Sequence, residues 1–236
     1  MTARQIIATP IIRSRLHEEI VTIIQKQIMS GAVAPGDKLP TERELAEKFN
    51  VNRATVREAL RKLENLDLVE IRHGDGLYAK NYLESGNLDL IKAAFNMNGG
   101  SEEIFFNILE ARLYLVPQFA YAAALRRTDA DLEALKKLVA RTDLSMMEKD
   151  ISVHQLIARS THNLLCTVGL NFFNEIFRDF GHLYFDNEKN AERSNQFHHD
   201  IYEAIKDQKP EEARRIMKEV LVYADEAVKA SLSQKK

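Results

Sequence analysis

Residues 39–76 read LPTERELAEKFNVNRATVREALRKLENLDLVEIRHGDG, and they contain the start and stop signals of two short helices. Thr41 followed by Glu44 is typical of a capping box. In this motif the Thr41 hydroxyl accepts a hydrogen bond from a backbone N–H of the first turn, and the Glu44 carboxylate accepts one from the backbone N–H of Thr41. Apolar residues from Leu45 to Phe49 follow at helical spacing, and Asn50-Val51-Asn52 predicts a tight polar turn after them. This part of the chain therefore predicts a short helix, a turn and the start of a second helix.

The second helix is predicted to begin after Asn52, whose side chain can cap it. Its apolar residues recur at helical spacing and define one face: Val56, Ala59, Leu60 and Leu63. That periodicity leaves Arg53, Thr55 and Arg57 near the N-terminal end on the solvent-facing side. A recognition helix carries its base contacts at that place. We therefore interpret the two helices as a helix-turn-helix.

A hairpin is predicted directly after the second helix. Residues 68–71 have the pattern of a strand, His73-Gly74-Asp75-Gly76 is a turn that admits positive φ, and residues 77–79 form the returning strand. Upstream, residues 33–39 contain a turn and a short extended piece that can pair with this hairpin. The hairpin is interpreted as the wing of a winged helix-turn-helix, whose first helix is predicted over residues 11–30.

The length of 236 residues allows two modest domains. The winged helix-turn-helix is assigned to residues 1–80, and residues 81–87, which lack an apolar period, are predicted to be a linker. Residues 88–236 show only helical patterns. The expected fold class is therefore mainly α, with an N-terminal winged helix-turn-helix domain that has a small β-wing and an all-α helical-bundle effector domain after it.

The second domain is predicted to consist of a series of helices. They cover residues 88–96, 101–127, 128–139, a segment around Asp150 and His154, 163–185, 191–206 and 210–231. Pro117 lies inside the second of these helices and is expected to bend it. Pro210 stands in the first turn of the last helix, which is the helical position that proline prefers.

Hydropathy and cysteine usage exclude several classes of protein. No uninterrupted apolar run approaches the length needed to cross a bilayer, and the N-terminus lacks the continuous apolar stretch of a secretory signal. The single cysteine, Cys166, cannot form an internal disulfide and fits a reducing compartment. A cytoplasmic protein without membrane association is therefore expected.

The net charge of −2 is unevenly distributed along the chain. Residues 1–82 contain 13 Lys and Arg against 11 Asp and Glu, whereas the remainder contains 20 against 24. The basic excess therefore coincides with the predicted helix-turn-helix, as an electrostatic footprint for DNA requires. Because the excess is small, we expect DNA binding to depend on local arginine clusters and to be sensitive to salt.

The stretch from residue 10 to residue 80 closely resembles, without gaps, the DNA-binding domain of the GntR family of bacterial transcription regulators. The resemblance implies a homodimer that binds a palindromic double-stranded DNA operator, and it implies that the protein is not an enzyme. It also implies which residues contact DNA: Arg43, Asn52, Arg53, Thr55, Arg57, His73 and Gly74. Arg53 and Arg57 are expected at base edges or adjacent phosphates, and the wing residues near the minor groove.

The helical region is similar to the FCD effector domain, which marks the FadR subfamily of GntR regulators. The matching pieces are Glu110-Ala111-Arg112, the spacing Asp150-x-x-x-His154, Asn163, and His198. The resemblance implies a divalent metal held by Asp150, His154 and His198. That ion would in turn help to hold a carboxylate effector.

The spacing of Asp150 and His154 agrees with this chemistry, because residues four apart on a helix project from one face. An O,N,N set of ligands suits Zn²⁺, Mn²⁺ or Ni²⁺ and leaves positions open for water or a carboxylate. The final histidine of the family pattern falls at Val220, which cannot bind a metal, and His182 and His199 are the candidate substitutes. The alternative interpretation of Asp150 and His154 is an ion pair on a helix face.

A second resemblance, over residues 81–95 and 181–199, is to the fatty-acid-responsive FadR branch, which lacks the metal and accommodates an acyl-CoA. A set of aromatic residues is available to line an apolar cavity of that kind: Phe105, Phe106, Phe119, Phe172, Phe173, Phe177, Phe180, Tyr184 and Phe185. Aromatic residues at helical spacing also form ordinary core. The expected effector is therefore either a small organic acid or an acyl-CoA.

Arg112 lies amid the apolar face of a predicted helix, where an unpaired guanidinium is costly. It requires an anion, which is either the effector or the carboxylate of Glu110 or Asp150. The resemblance places Arg112, Asn163 and Tyr184 at the effector site.

Two other classes of function compete with a ligand-responsive regulator. An open metal site can activate water, so a metal-dependent enzyme with an appended helix-turn-helix is one alternative. No general base with a recognisable partner accompanies Asp150 and His154, and Val220 weakens the site further. A structural adaptor whose helical part only dimerises is the other alternative, and it predicts no ligand pocket. The sequence favours the regulator.

Overall fold

The computed structural model describes residues 16–97 and 101–233, and it divides into two compact units between Ser101 and Glu102. The first unit contains α1 (Leu16–Met29), β1 (Lys38–Leu39), α2 (Glu42–Phe49), α3 (Arg53–Asn65), β2 (Val69–Arg72), β3 (Gly76–Ala79), α4 (Tyr82–Ser85) and α5 (Leu88–Asn96). The second unit contains α6 (Glu102–Arg126), α7 (Asp129–Val139), α8 (Met146–Arg159), α9 (Leu164–Phe180), α10 (His182–Phe185), α11 (Glu188–Lys206) and α12 (Pro210–Ser233).

The strands of the first unit form an antiparallel sheet in the order β1-β3-β2. Lys38 and Leu39 pair with Tyr78 and Leu77, which confirms that the short extended piece pairs with the wing. Helix α3 packs against both α1 and α2. The apolar faces of these helices and of the sheet form one core, which includes Ile20, Ile24, Leu45, Val56, Ala59, Leu63, Leu68 and Leu77. The predicted winged helix-turn-helix is confirmed; residues 11–15 of the predicted first helix lie outside the described residues.

The helix starts of the first unit follow the local signals in the sequence. The capping box of α2 is present: Glu44 N donates to Thr41 Oγ1 at 3.3 Å, and Thr41 N donates to Glu44 Oε2 at 2.8 Å. Asn50 ends α2 in the left-handed conformation with φ 52°, which asparagine tolerates better than most residues. Asn52 then caps α3, because its Oδ1 accepts the backbone amide of Thr55 at 2.8 Å.

The segment predicted as a linker is ordered and belongs with the first unit, which differs from the boundary expected at residues 81–87. Asn81 caps the short helix α4 within it. Ser85 Oγ donates to the carbonyl of Asp67 at 3.0 Å, and Asn87 Nδ2 donates to the carbonyl of Asn65 at 2.9 Å. These polar side chains satisfy backbone groups at the end of α3, so they do not mark a linker. The division between units therefore falls after α5.

The second unit is a bundle of helices in which α6 is central. It packs against α8, α9, α11 and α12, so more than one of its faces is buried. Helix α8 in turn packs against α7, α9 and α11. Arg112, in the middle of α6, lies on one of these buried faces. Pro117 lies inside α6, and Pro210 is the first residue of α12, both as expected.

The aromatic helix expected to run to residue 185 is interrupted. Helix α9 ends at Phe180, Gly181 follows, and the short α10 begins at His182. A Cβ atom added to Gly181 would lie 2.8 Å from Met147 Sδ and 2.8 Å from the carbonyl oxygen of Phe177. Met147 on α8 comes this close to Gly181 because glycine has no Cβ atom. The local sequence does not show this approach of α8. Within residues 16–97 and 101–233, no helix is both long and apolar enough to span a bilayer.

Candidate functional sites

The first candidate site is the set of residues expected to contact DNA. Arg53 and Arg57 are exposed at the N-terminal part of α3, and Arg43 is exposed on α2. The opposite face of α3 is buried in the core. The wing residues His73 and Gly74 are also exposed, and Gly74 has φ +78°, a conformation that the turn requires.

Asn52 and Thr55 have a structural role in this site. Asn52 Oδ1 accepts from both the backbone amide and the hydroxyl of Thr55, at 2.8 and 3.1 Å. The first backbone N–H groups of a helix have no partner within the helix, and Asn52 provides one for the N–H of Thr55. These bonds stabilise the first turn of α3. Because Arg53 lies between the two residues, this capping also fixes the backbone from which Arg53 projects.

Several arginines of the first unit are paired with glutamates on the same surface. Arg57 contacts Glu42 through two hydrogen bonds, Nε to Oε1 at 3.4 Å and Nη2 to Oε2 at 3.1 Å. Arg43 Nε donates to Glu47 Oε1 at 3.0 Å. Arg53, by contrast, has no hydrogen bond or ion pair to any residue of the described ranges. The arginines are evident from the sequence, whereas the pairing of Arg57 with Glu42 on a different helix is not.

The wing has its own cluster of polar contacts around Tyr78. The Tyr78 hydroxyl donates to Asp75, with Oδ1 at 2.9 Å and Oδ2 at 3.0 Å, and Lys38 Nζ donates to Asp75 Oδ1 at 3.2 Å. The guanidinium of Arg72 lies 4.3 Å from the centre of the Tyr78 ring. These bonds lower the pKa of Asp75, so the carboxylate at the tip of the wing is satisfied within the protein.

The second candidate site is a group of buried titratable residues in the helical unit, which we call the buried polar cluster. It consists of Arg112 on α6, Asp150 and His154 on α8, His198 on α11 and Asp225 on α12. His198 Nε2 donates to Asp150 Oδ1 at 2.9 Å, and His154 Nε2 lies 3.6 Å from Asp150 Oδ2. The structure therefore brings together the three residues that the sequence assigned to a metal.

Burial controls the protonation states in this cluster. Burial lowers the pKa of His154 from 6.5 to about 4, so this imidazole is neutral at neutral pH. Burial by itself would raise the pKa of Asp150, but His154, His198 and Arg112 outweigh it and the pKa is lowered. Burial raises the pKa of Asp225 from 3.8 to about 6, although Arg112 opposes that shift.

Arg112 is only 7% exposed and has no hydrogen bond or ion pair to the described residues. Its guanidinium carbon lies 5.0 Å from the centre of the Phe177 ring. Burial lowers the pKa of Arg112, and attraction to Asp150 and Asp225 offsets only part of this. The expected alternative partner Glu110 is exposed and instead accepts a hydrogen bond from the Tyr114 hydroxyl at 2.7 Å. Arg112 is therefore a buried cation with unused donors.

The other two residues assigned to the effector site differ in their placement. Tyr184 is buried, and burial raises the pKa of its hydroxyl to about 12. It interacts electrostatically with Asp150 and Arg112. Asn163 does not join this cluster: it is an exposed N-cap of α9, and its Oδ1 accepts the amide of Leu165 at 2.9 Å.

The substitutes considered for the missing metal ligand are not buried with the cluster. His182 and His199 are exposed, and Val220 is buried among apolar residues of α12. The Nδ1 atoms of His154 and His198 are buried and have no hydrogen-bond partner. In the described part of the chain, no three His, Cys, Asp or Glu side chains form a group that could hold a metal ion as it stands.

The aromatic residues around this site pack largely on one another. The Phe177 and Phe185 rings meet edge to face at 6.0 Å, and Tyr184 and Phe185 do so at 4.9 Å. Phe105 and Phe180 lie 5.0 Å apart. Such contacts are typical of a packed core. Asp225, in contrast, was missed by the sequence analysis, because one acidic residue in a long amphipathic helix gives no sign of burial.

Comparison with known families agrees with both units. A family model described as bacterial regulatory proteins, gntR family, matches residues 16–78. A model of the FCD domain matches residues 107–222. The first match contains the helix-turn-helix and wing, and the second contains every residue of the buried polar cluster except Asp225.

Individual proteins show the same similarity. The transcriptional regulator LutR of Bacillus subtilis is 33% identical over 189 residues, covering 75% of this chain and 85% of LutR. The fatty acid metabolism regulator protein of Shewanella oneidensis is 27% identical and covers 75% of each chain. The chain covers less than two thirds of some relatives, such as 60% of the Uxu operon transcriptional regulator of Escherichia coli, which is 34% identical over 63% of this chain.

A solved structure shares the fold. It is the Listeria monocytogenes protein Lar, described as controlling the expression of the agr system. It aligns over 92% of this chain and 98% of its own, with 18% identity and a TM-score of 0.52.

Proposed function

We propose that this chain, which belongs to the GntR family of bacterial regulatory proteins and carries an FCD domain, regulates transcription by binding operator DNA as a ligand-responsive homodimer. The observation that carries the proposal is the exposed N-terminal end of α3, where Arg53 and Arg57 project from a helix whose other face is buried in a winged helix-turn-helix. That end of a recognition helix is the part that reaches base edges in the major groove.

Each residue of the surface has a part in this proposal. Arg53, which has no partner among the described residues, and Arg57 contact guanine edges or adjacent phosphates. Arg43 contacts the backbone, and the wing residues His73 and Gly74 approach the minor groove. Two copies related by a two-fold axis would read a palindromic site.

The test begins with selection of a binding duplex from a randomised library by the purified full-length protein. Arg57→Ala should weaken binding to the selected duplex by about 1–3 kcal/mol for each half-site, because each subunit loses one bidentate or phosphate contact. Lys137→Ala is the matched control, since Lys137 is an exposed residue of the helical unit whose ion-pair partner among the described residues is Glu133, at 3.5 Å. Unchanged binding by Arg57→Ala, or no selectable sequence at all, would overturn the proposal.

The buried polar cluster is the proposed effector site, and its charge suggests the class of effector. One guanidinium, Arg112, faces two carboxyl groups, Asp150 and Asp225. These three groups have no positive excess with which to hold a carboxylate ligand. A divalent cation would reverse that balance, so we propose that a small carboxylate is sensed through Arg112 together with a bound divalent metal.

The residues that would hold the metal are Asp150, His154 and His198. Ligand atoms that share one ion at about 2.0–2.2 Å lie roughly 3–3.5 Å from each other. The separations of 2.9 and 3.6 Å between the histidine Nε2 atoms and the Asp150 oxygens are close to that range. The neutral His154 is ready to act as a ligand without losing a proton. When bound, Zn²⁺, Mn²⁺ or Ni²⁺ would supply positive charge and an open position for a carboxylate oxygen.

The metal proposal is tested by titrating Zn²⁺ or Ni²⁺ into chelator-stripped protein and by elemental analysis of the dialysed product. We expect up to one ion per chain in the parent and none in His198→Ala. His199→Ala is the control, because this neighbouring histidine is exposed. A parent that binds no metal would overturn the metal proposal; if it then bound acyl-CoA, a metal-free effector site of the kind expected for a fatty acid regulator would replace it.

A further inference from the structure

The ion pair between Glu42 and Arg57 joins the two helices of the helix-turn-helix. Glu42 is the first residue of α2, and Arg57 lies in the second turn of α3. The contacts run from Nε to Oε1 at 3.4 Å and from Nη2 to Oε2 at 3.1 Å, so the carboxylate holds the side edge of the guanidinium. The distal edge, formed by Nη1 and the remaining proton of Nη2, makes no hydrogen bond or ion pair with a described residue.

The other paired arginines on this surface have a different arrangement. Arg43 reaches Glu47 one turn away on its own helix, through one donor and one oxygen. Arg72 reaches Glu70 two residues away on its own strand, and its Nε and Nη2 both contact a single oxygen. Only a pair that uses both carboxylate oxygens along one edge fixes the plane of the guanidinium. Among these three pairs, that is Glu42 with Arg57.

We propose that Glu42 is a positioning residue that sets the sequence specificity of Arg57. It orients the distal edge of the guanidinium towards a base, and it neutralises the charge that would otherwise attract any phosphate. The inference rests on the proposed DNA binding of this surface. This role would explain why the carboxylate of Glu42 lies on a surface that binds negatively charged DNA.

The physical basis is the difference between the two targets that an arginine can bind. Phosphate affinity depends on net charge and is the same for every sequence. The O6 and N7 atoms of guanine are uncharged acceptors, and two donors of one guanidinium edge match them. A carboxylate about 5 Å from a phosphate weakens that contact by a factor of about four in water. It has a much smaller effect on a guanine edge, so the glutamate favours base contacts over phosphate contacts.

Glu42→Gln separates these effects because it removes the charge and keeps an amide oxygen that can accept from Arg57. Binding of the full-length protein is measured by fluorescence anisotropy from 50 to 300 mM KCl, on the selected duplex and on a scrambled duplex of equal length and composition. We expect Glu42→Gln to bind the scrambled duplex about fourfold more tightly for each subunit, which is about 16-fold for the homodimer. On that duplex, the slope of log K against log salt should become steeper by about 1.8, which corresponds to one more phosphate contact in each subunit of the homodimer. The ratio of the two affinities should fall by at least the same factor.

Glu47→Gln is the matched control within the DNA-binding unit, since it releases Arg43 without affecting the orientation of Arg57. It should tighten binding to both duplexes equally and leave their ratio unchanged. Glu133→Gln, in the helical unit, should change neither affinity.

An unchanged affinity ratio and salt slope in Glu42→Gln would overturn the inference. Equal weakening on both duplexes would also overturn it, because Glu42 would then serve only the stability of the fold. If the parent binds both duplexes with the same affinity, the proposed function itself is overturned, because the protein then has no sequence specificity.

Discussion

The protonation of His154 gives the most quantitative prediction for this protein. His154 is buried against the Phe197 ring, with ring centres 5.3 Å apart, and burial lowers its pKa to about 4. In the unfolded chain the pKa returns to 6.5. Between these values the unfolded chain binds a proton that the native protein does not, so stability falls as the pH falls from 6.5 towards 4.

The size of the effect follows from the shift. Each pKa unit corresponds to 1.36 kcal/mol, so this one histidine should remove about 2 kcal/mol of unfolding free energy at pH 5 and about 3 kcal/mol at pH 4, relative to pH 7.5. Other groups titrate in the same range, so the informative quantity is the difference between the parent and His154→Gln. Glutamine stays neutral at all these pH values.

The assay is urea unfolding at pH 7.5, 5 and 4, in buffer that contains a chelator. Tyrosine fluorescence reports mainly on the helical unit, because five of the seven tyrosines lie there. The parent should lose about 2 kcal/mol more than His154→Gln between pH 7.5 and pH 5. His199→Gln, which changes an exposed histidine, should follow the parent. If the parent and His154→Gln have parallel pH profiles, burial does not lower the pKa of His154.

Three further predictions concern other parts of the molecule. Asp225→Asn should show the opposite trend to His154→Gln. Because the pKa of Asp225 is raised to about 6, its ionisation destabilises the native state as the pH rises. In the same urea assay, the variant should therefore gain about 1–2 kcal/mol of stability over the parent between pH 4 and pH 7.5. A variant whose stability relative to the parent does not change with pH would refute this. Thr41→Ala removes the hydroxyl that caps α2 and should lower the stability of the first unit by about 1 kcal/mol, measured by hydrogen exchange of the α2 amides; unchanged protection would contradict the capping role. Static light scattering at micromolar concentration should give the mass of a dimer, and a monomer would remove the two-fold symmetry expected of a regulator that reads a palindrome.

The sequence was most informative where structure depends on short-range signals. The capping pair Thr41 and Glu44, the cap at Asn52 and the apolar spacing of α3 each involve residues within a few positions of one another. The same holds for Asp150 and His154, whose spacing of four predicted a shared face. Local hydrogen bonds and helical periodicity depend on residues that are close in sequence. The helices and the wing of the winged helix-turn-helix could therefore be predicted.

The partners that come from distant parts of the chain required the tertiary structure. Glu42 forms an ion pair with Arg57 on another helix, and Asp225 on α12 lies close enough to Arg112 on α6 for Arg112 to influence its pKa. The helix break at Gly181 is associated with the close approach of Met147, and the placement of Asn163 at the surface was not predicted. The sequence by itself determined which segments become helices and strands, because that choice depends on neighbours in the chain. Only the packed structure decided which charges are buried and which are paired, because burial and pairing depend on what other helices bring within a few ångströms.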